Sequence, residues 1–464
     1  MTTGVEIFDE AEALIGEPHG KLGKSLKSRH VTMITLGGII GAGLFVGSST
    51  TISQVGPAAV VSFGIAGLAV MLVMRMISEM AGALDGVQAF PDFAREGLGH
   101  WAGYLSGWLY WYFWAVVVAV EAVAGAKIIN QWYPMLAEWQ IGVALMLALT
   151  AVNLMSTRTY GEFEFWFSLI KVAAIGAFIL LAGSYVLGFS SAGAGGVANW
   201  TQHGGLAPNG WGLVLAAVSS TIFTMCGAEI ATIAAAESEE SSKVIARLSL
   251  SVSARILVFY VISLALIVAV LPWNGVKPGY SPFAATLAAI HIPGGEFIMT
   301  CVVLVAVLSC LNSSLYITSR TLFGLASHGD APKWLVAVNG RQVPSSAIIA
   351  ASLFSYGAYA AERLSPNTVF SFLINSSGAT MLMLYILCAV AQLRVRRRLE
   401  ATAPERLQIR MWLFPWLTWA TIGVMVAVLV FMMLNPGRAV EFWTSMLVAG
   451  LFMLGFWAMK KARG

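Results

Sequence analysis

Charge is what this sequence has least of. Asp, Glu, Lys and Arg make up 11% of its 464 residues, while hydrophobic residues make up 58%. A soluble domain carries about a quarter charged residues, so this composition excludes a water-soluble core and points to a polytopic protein bathed in lipid. Cysteine is scarce too. Cys226, Cys301, Cys310 and Cys388 all lie in apolar runs without metal-ligand spacing. Cys301 and Cys310, nine residues apart, fall on opposite faces of a helix, and small apolar packing is the simplest reading for three of the four. The six histidines are scattered through the tail and loops. A P-loop, a GxGxxG after a strand and a His/Cys constellation are all missing, which argues against nucleotide hydrolysis, a metal or a cofactor. With no nucleophile–base set at membrane depth, an embedded enzyme is not expected either. The net charge of +4 gives no reason to expect nucleic acid as a partner. Residues 1–30 are polar, acidic first and then basic, so a cleavable signal peptide is not expected.

What is present is apolar length. About 20 apolar residues cross a bilayer as a helix. That window finds twelve spans, near 32–53, 57–83, 101–129, 139–156, 164–188, 211–236, 252–272, 295–326, 344–361, 368–392, 411–434 and 440–459. The third and eighth are long enough to tilt or to extend beyond the bilayer. Of the 27 Lys and Arg residues, Arg75, Lys171 and Arg320 lie within or at the ends of spans. Lys127, Lys277, Arg363 and Arg438 fall on one side, and all the others fall opposite. The positive-inside rule then puts both termini in the cytoplasm.

Two spans are interrupted by glycine at membrane depth. The first contains "GGIIGAGLF" (37–45), and the sixth contains Gly227 followed closely by Glu229. Each glycine costs a helix interior about 1 kcal/mol relative to alanine. Unwound backbone is tolerated in a membrane only where protein or a wet cavity surrounds it. Paired interruptions in the first helix of two five-helix halves are the pattern of inverted-repeat transporters with a central site. Gly41, Ala42 and Gly43 would free N–H groups that favour a carboxylate. The carbonyls of residues 223–226 would suit an ammonium, and the pair together would receive a zwitterion. Close small-residue packing is the competing reading of either cluster taken alone.

Ionisable groups within spans are functional by default. Lys171 is the candidate for proton coupling, with fixed scaffolding as the alternative. Glu229 adjoins the second break and is a candidate for substrate contact or gating. Glu121 is compatible with proton transfer, ammonium binding or a structural carboxyl. Glu79, Glu162, Glu164 and Glu237 lie near cytoplasmic helix ends, where salt bridges with Arg75 or Arg158 are expected. Phe223, beside the break, is the expected substrate lid. The aromatic run Trp108–Trp114 reads as interface anchoring and packing.

Three stretches, "KSRHVTMITLGGIIGAGLFVGSS" (27–49), "YGEFEFWFSLIKV" (160–172) and "SCLNSSLYITSRTLFGLASHGDAPKW" (309–334), resemble bacterial amino acid permeases of the amino acid–polyamine–organocation superfamily. "GWLYWYFW", "MCGAEIATIAAAES" and "RMWLFPWLTW" look most like γ-aminobutyrate permeases within it. The resemblance, from about residue 25 to 460, implies an all-α, twelve-helix, five-plus-five inverted repeat (LeuT-like) with discontinuous helices 1 and 6. The expected divisions are a cytoplasmic tail (1–30), a first repeat (31–189), a second repeat (210–393) and a basic loop with helices 11–12 (394–464). It further implies proton-coupled import of γ-aminobutyrate or a related ω-amino acid across the bacterial cytoplasmic membrane, with another neutral or aromatic α-amino acid as the alternative. By motif matching, Ile40, Gly41, Ala42 and Gly43 take substrate-carboxylate positions. Phe223, Cys226, Gly227 and Glu229 fall in the matching part of span six, and Lys171 matches the lysine proposed to carry the proton. Gly-Ser after span two and Asn-Pro after "AAES", usual in the family, are replaced here by "LDGVQAFPDFA" and "ESEESSKVIARL", both on the expected inner side.

Overall fold

A computed structural model describes residues 28–84, 89–155, 157–189, 197–230, 257–364 and 368–463. Most of the polar tail, Glu237, Lys243, Arg247, Arg255, "ESEESSKVIARL" and part of the 189–210 loop lie outside the described residues. The described chain is helical. In order it forms α1 (Ser28–Ile39), a π turn (Gly43–Gly47), α2 (Ser48–Val55), α3 (Ala59–Ala83), α4 (Phe90–Leu98), α5 (His100–Trp132), α6 (Glu138–Met155), α7 (Thr157–Val186), α8 (Trp211–Ala216) and α9 (Val218–Met225). Then come α10 (Leu257–Val270), α11 (Pro282–Ala289), α12 (Gly295–Ser327), α13 (Ser345–Leu364), α14 (Thr368–Thr402), α15 (Trp416–Leu434) and α16 (Ala439–Arg463).

Among the described residues, eight helical stretches are long and apolar enough to cross a membrane. Three shorter apolar helices accompany them, Trp211–Met225, Leu257–Val270 and Ser345–Gly357. The protein is therefore an all-α polytopic membrane protein. The third and eighth expected spans are long, α5 and α12 each running 33 residues and packing along each other, although α14 is longer still at 35. Burial separates centre from rim. The apolar window of α5 is 83% buried and that of α16 only 17%, so α5 lies inside the bundle and α16 presents side chains to lipid. Exposed Trp443 and Trp457 fit that peripheral position, and exposed Trp416 and Trp419 place the start of α15 at the rim as well. Within α5, Tyr110 and Trp114 are fully buried, so packing rather than interface anchoring explains this part of the aromatic run.

The ion pairs differ from expectation. Glu79 takes Arg396 at 2.6 Å and Gln392 at 2.7 Å, both from α14, rather than Arg75. Arg75 donates instead to the carbonyl of Arg410 at 2.9 Å. The expected partner was four residues away on one helix, whereas the observed one joins α3 to α14 across 317 residues of sequence. Glu162 does form a salt bridge, with Arg29 at 2.7 Å. Beyond α4, the Asp330 carboxylate is held by Arg95 and by His100, the latter at 2.7 Å, which ties α4 and α5 to the segment after α12.

Candidate functional site

The first helix stops at Ile39, and its last carbonyls have no intrahelical partner. Side chains from three other helices take them. Cys310 (α12) meets the carbonyl of Gly38 at 3.6 Å, Tyr260 (α10) donates to Ile39 at 2.9 Å, and the Lys171 ammonium (α7) donates to Ile40 at 3.0 Å. A cation at the negative end of a helix dipole is favourable. Where the chain turns helical again, the Ala42 N–H reaches both carboxylate oxygens of Glu121, each at 3.0 Å.

The second break has the same logic. Helix α9 ends at Met225, Cys226 is extended, and Gly227 has φ +126°. The freed Gly227 N–H reaches the Glu229 carboxylate at 3.1 and 3.2 Å. Tyr385 from α14 donates to the same carboxylate at 3.3 Å. Tyr260 also lies 3.0 Å from the carbonyl of Thr224, so one hydroxyl spans both breaks.

The breaks cross in near contact. A Cβ on Gly43 would stand 2.9 Å from Cα of Thr224, and one on Gly227 would stand 2.9 Å from the carbonyl of Gly38. Real Cβ atoms do not come so close to backbone, so glycine is required at both crossings. Between them lies a cavity of about 20 Å³, bounded in part by Gly41, Gly43, Glu121, Phe223, Cys226 and Cys310. A cavity needs roughly 10–15 Å³ to hold one water, so the space is closed to anything of amino acid size. A second cavity of about 620 Å³ reaches to Val46, Ala124 and Val303, one or two helical turns from Gly43, Glu121 and Cys310. Helix α11 lines it, and its buried Phe283 packs edge-on against Phe45 (4.9 Å) and close to Phe178 (4.6 Å).

The structure brings Gly41, Gly43, Glu121, Phe223 and Cys226 to one small cavity. Phe223 is buried there against Phe113, ring centroids 5.8 Å apart. Ile40, Ala42 and Gly227 contribute backbone to the breaks, while Lys171 and Glu229 flank them from outside the cavity wall. Reading the sequence missed four groups. Cys310 lines the cavity rather than serving only as packing, and Tyr260 and Tyr385 cap the breaks. Glu164, expected in an inner salt bridge, is fully buried and accepts a hydrogen bond from Ser309 at 2.7 Å. Its signal was legible: it lies seven residues, two helical turns, before Lys171 on the same face.

A polytopic helix bundle in which two helices, α1 and α9, end in the buried interior, each beside a buried carboxylate, suits a membrane transport protein. Comparison with known proteins specifies it further. The amino acid permease family profile matches residues 30–462, and the chain belongs to that family. It is 44% identical to the gamma-aminobutyric acid permease of Bacillus subtilis (strain 168), over 95% of this chain and 94% of that protein. It is likewise 44% identical to the gamma-aminobutyric acid permease of Escherichia coli (strain K12), over 93% of each. The aromatic amino acid transport protein AroP of Escherichia coli (strain K12) is 34% identical over 92% of this chain and 93% of its own length. The protein is thus a bacterial multi-pass inner-membrane permease of the amino acid–polyamine–organocation superfamily.

Proposed function

We propose that this permease imports γ-aminobutyrate or a related ω-amino acid together with protons. The observation that carries the reading is the pair of helix ends beside one cavity, with the Ala42 N–H, held by Glu121, on one and the Thr224 carbonyl, held by Tyr260, on the other. The two relatives at 44% identity, both named for γ-aminobutyrate, favour that substrate over the aromatic amino acids of the 34% relative. On this reading the substrate carboxylate meets the Ile40–Gly43 segment and the ammonium meets the carbonyl end of α9. Phe223 closes over the substrate, with Cys226, Gly227 and Glu229 shaping its floor. Lys171 carries the coupling proton, with Glu121 as a second proton-binding group.

The architecture goes with it: twelve spans, residues 31–189 and 210–393 as inverted five-helix repeats, discontinuous helices 1 and 6, and 394–464 as a basic loop and two added helices. Both termini are cytoplasmic, with residues 1–30 as the tail. The interruptions at Ile39 and Met225 and the Lys/Arg asymmetry support this arrangement.

The test is a panel of radiolabelled amino acids offered to a strain stripped of its own permeases, with and without a proton uncoupler. Saturable γ-aminobutyrate uptake that collapses with the uncoupler and ignores sodium removal is expected. Preferential uptake of an aromatic amino acid would replace the substrate. Uncoupler-insensitive accumulation would remove the proton.

A further inference from the structure

Lys171 is one end of a chain of hydrogen bonds that leads away from the breaks. Its ammonium donates to the Ser309 hydroxyl at 2.8 Å, and Ser309 lies 2.7 Å from Oε2 of Glu164. All three side chains are fully buried. The direction is fixed by hydrogen count. An ionised carboxylate can only accept, so the single Ser309 proton points to Glu164 and the serine lone pair faces Lys171. Asn312 and Ser313 lie alongside the same carboxyl, one turn further along α12. Other titratable groups around the pair are Cys310 on α12, Glu121 on α5, Tyr160 on α7 and Arg320, which lies over the Tyr316 ring at 4.1 Å.

We propose that Glu164 is the proton acceptor for Lys171, reached through the Ser309 hydroxyl. This rests on the proton-coupled reading given above. One N–H bond of the ammonium breaks as a new O–H bond forms on Ser309. The original Ser309 O–H breaks as Oε2 of Glu164 gains a proton. The products are a neutral amine, an intact serine and a neutral carboxylic acid, so no net charge is created and no co-reactant is needed. The transfer turns a buried ion pair into two neutral groups, which avoids leaving one charge unpaired in the membrane interior. It also weakens the hydrogen bond that Lys171 makes to Ile40, because charge-assisted hydrogen bonds are roughly twice as strong as neutral ones. Loss of the proton would thereby loosen the C-terminal end of α1 at the substrate site. Glu164 lies two turns from Lys171 towards the N-terminal end of α7, where Glu162 is exposed enough to pair with Arg29 at the surface.

The full-length protein in proteoliposomes provides the test, with labelled γ-aminobutyrate as probe. Two readouts are compared: uphill accumulation driven by an inward proton gradient, and equilibrium exchange, which needs no net proton movement. Glu164→Gln and Ser309→Ala should lower the accumulation ratio about tenfold while exchange continues, and Glu164→Asp should recover part of the accumulation. Wild-type accumulation by Glu164→Gln would overturn the proposal. So would parallel loss of exchange and accumulation, both restored by Glu164→Asp, which marks a purely structural carboxyl. If the wild type itself exchanged γ-aminobutyrate but ignored the gradient, the coupling reading would fail first and take the relay with it.

Discussion

Gly227→Ala is the sharpest single perturbation of the crossing. The residue has φ +126°, a conformation that side-chain-bearing residues rarely adopt. Holding alanine there costs on the order of 1–3 kcal/mol. Space is also lacking: the new methyl would stand 2.9 Å from both the carbonyl carbon and the oxygen of Gly38, and 3.0 Å from Ile39. Gly38 cannot swing away as a flexible side chain would, since the contact is backbone and its oxygen already faces the Cys310 thiol. The two broken segments must separate by several tenths of an ångström, which disturbs both capped ends together. A penalty of about 1–3 kcal/mol falling on substrate binding or on the conformational change corresponds to roughly 5- to 150-fold. Initial uptake rates in permease-deficient cells, normalised to the amount of protein in the membrane, should fall within that range. Gly64→Ala in α3 and Gly176→Ala in α7 are the controls, because a Cβ at either position meets nothing within 4 Å. Both should transport normally. Uptake by Gly227→Ala within twofold of wild type at equal abundance would refute the required close crossing.

Gly43→Val should abolish uptake while the protein still reaches the membrane, since even a Cβ there would approach Thr224 Cα to 2.9 Å; transport at wild-type rates would remove this segment from the site. Lys171→Ala should lose concentrative uptake and its sensitivity to an uncoupler, although exchange can survive. Undiminished accumulation would pass the proton role to Glu121 or Glu229. Arg396→Ala strands the Glu79 carboxylate, which is buried and paired at 2.6 Å, and breaking such a pair costs about 3–5 kcal/mol. A clear drop in melting temperature in detergent is expected, partly recovered by adding Glu79→Gln, and unchanged melting would show the pair to be dispensable.

The membrane class was readable because lipid imposes length and polarity on every span, and hydropathy reports both. The two breaks were readable because glycine is costly in a helix and appears at matching places. Lys171, Glu121 and Glu229 stood out because a charge at membrane depth is costly and therefore rare. The capping partners were not readable in the same way. Tyr260 and Tyr385 are ordinary aromatic residues in apolar helices, and only the fold shows which carbonyl or carboxylate each hydroxyl meets. Glu79 pairs with Arg396 through tertiary packing, so proximity along the chain pointed to the wrong arginine. Glu164 was misplaced because distance from the helix end was weighed above its two-turn register with Lys171.

Glu121 bears on how substrate and proton would be linked. The Ala42 amide has one hydrogen, and both oxygens of Glu121 already lie 3.0 Å from the nitrogen. A substrate carboxylate reaching the same amide would bring a second negative group into a cavity of about 20 Å³. Two carboxylates at one buried site cannot both stay ionised cheaply, because each raises the cost of the other's charge. On the proposed reading, Glu121 must withdraw or take a proton as the substrate arrives. Until then the Glu121 carboxylate satisfies the amide, holding the place that the substrate carboxylate would take. If Glu121 takes the proton, linkage requires that proton and substrate each raise the other's affinity by the same factor. Coupling would then begin at the amide that the first helix break exposes, one residue from the Ile40 carbonyl that holds Lys171.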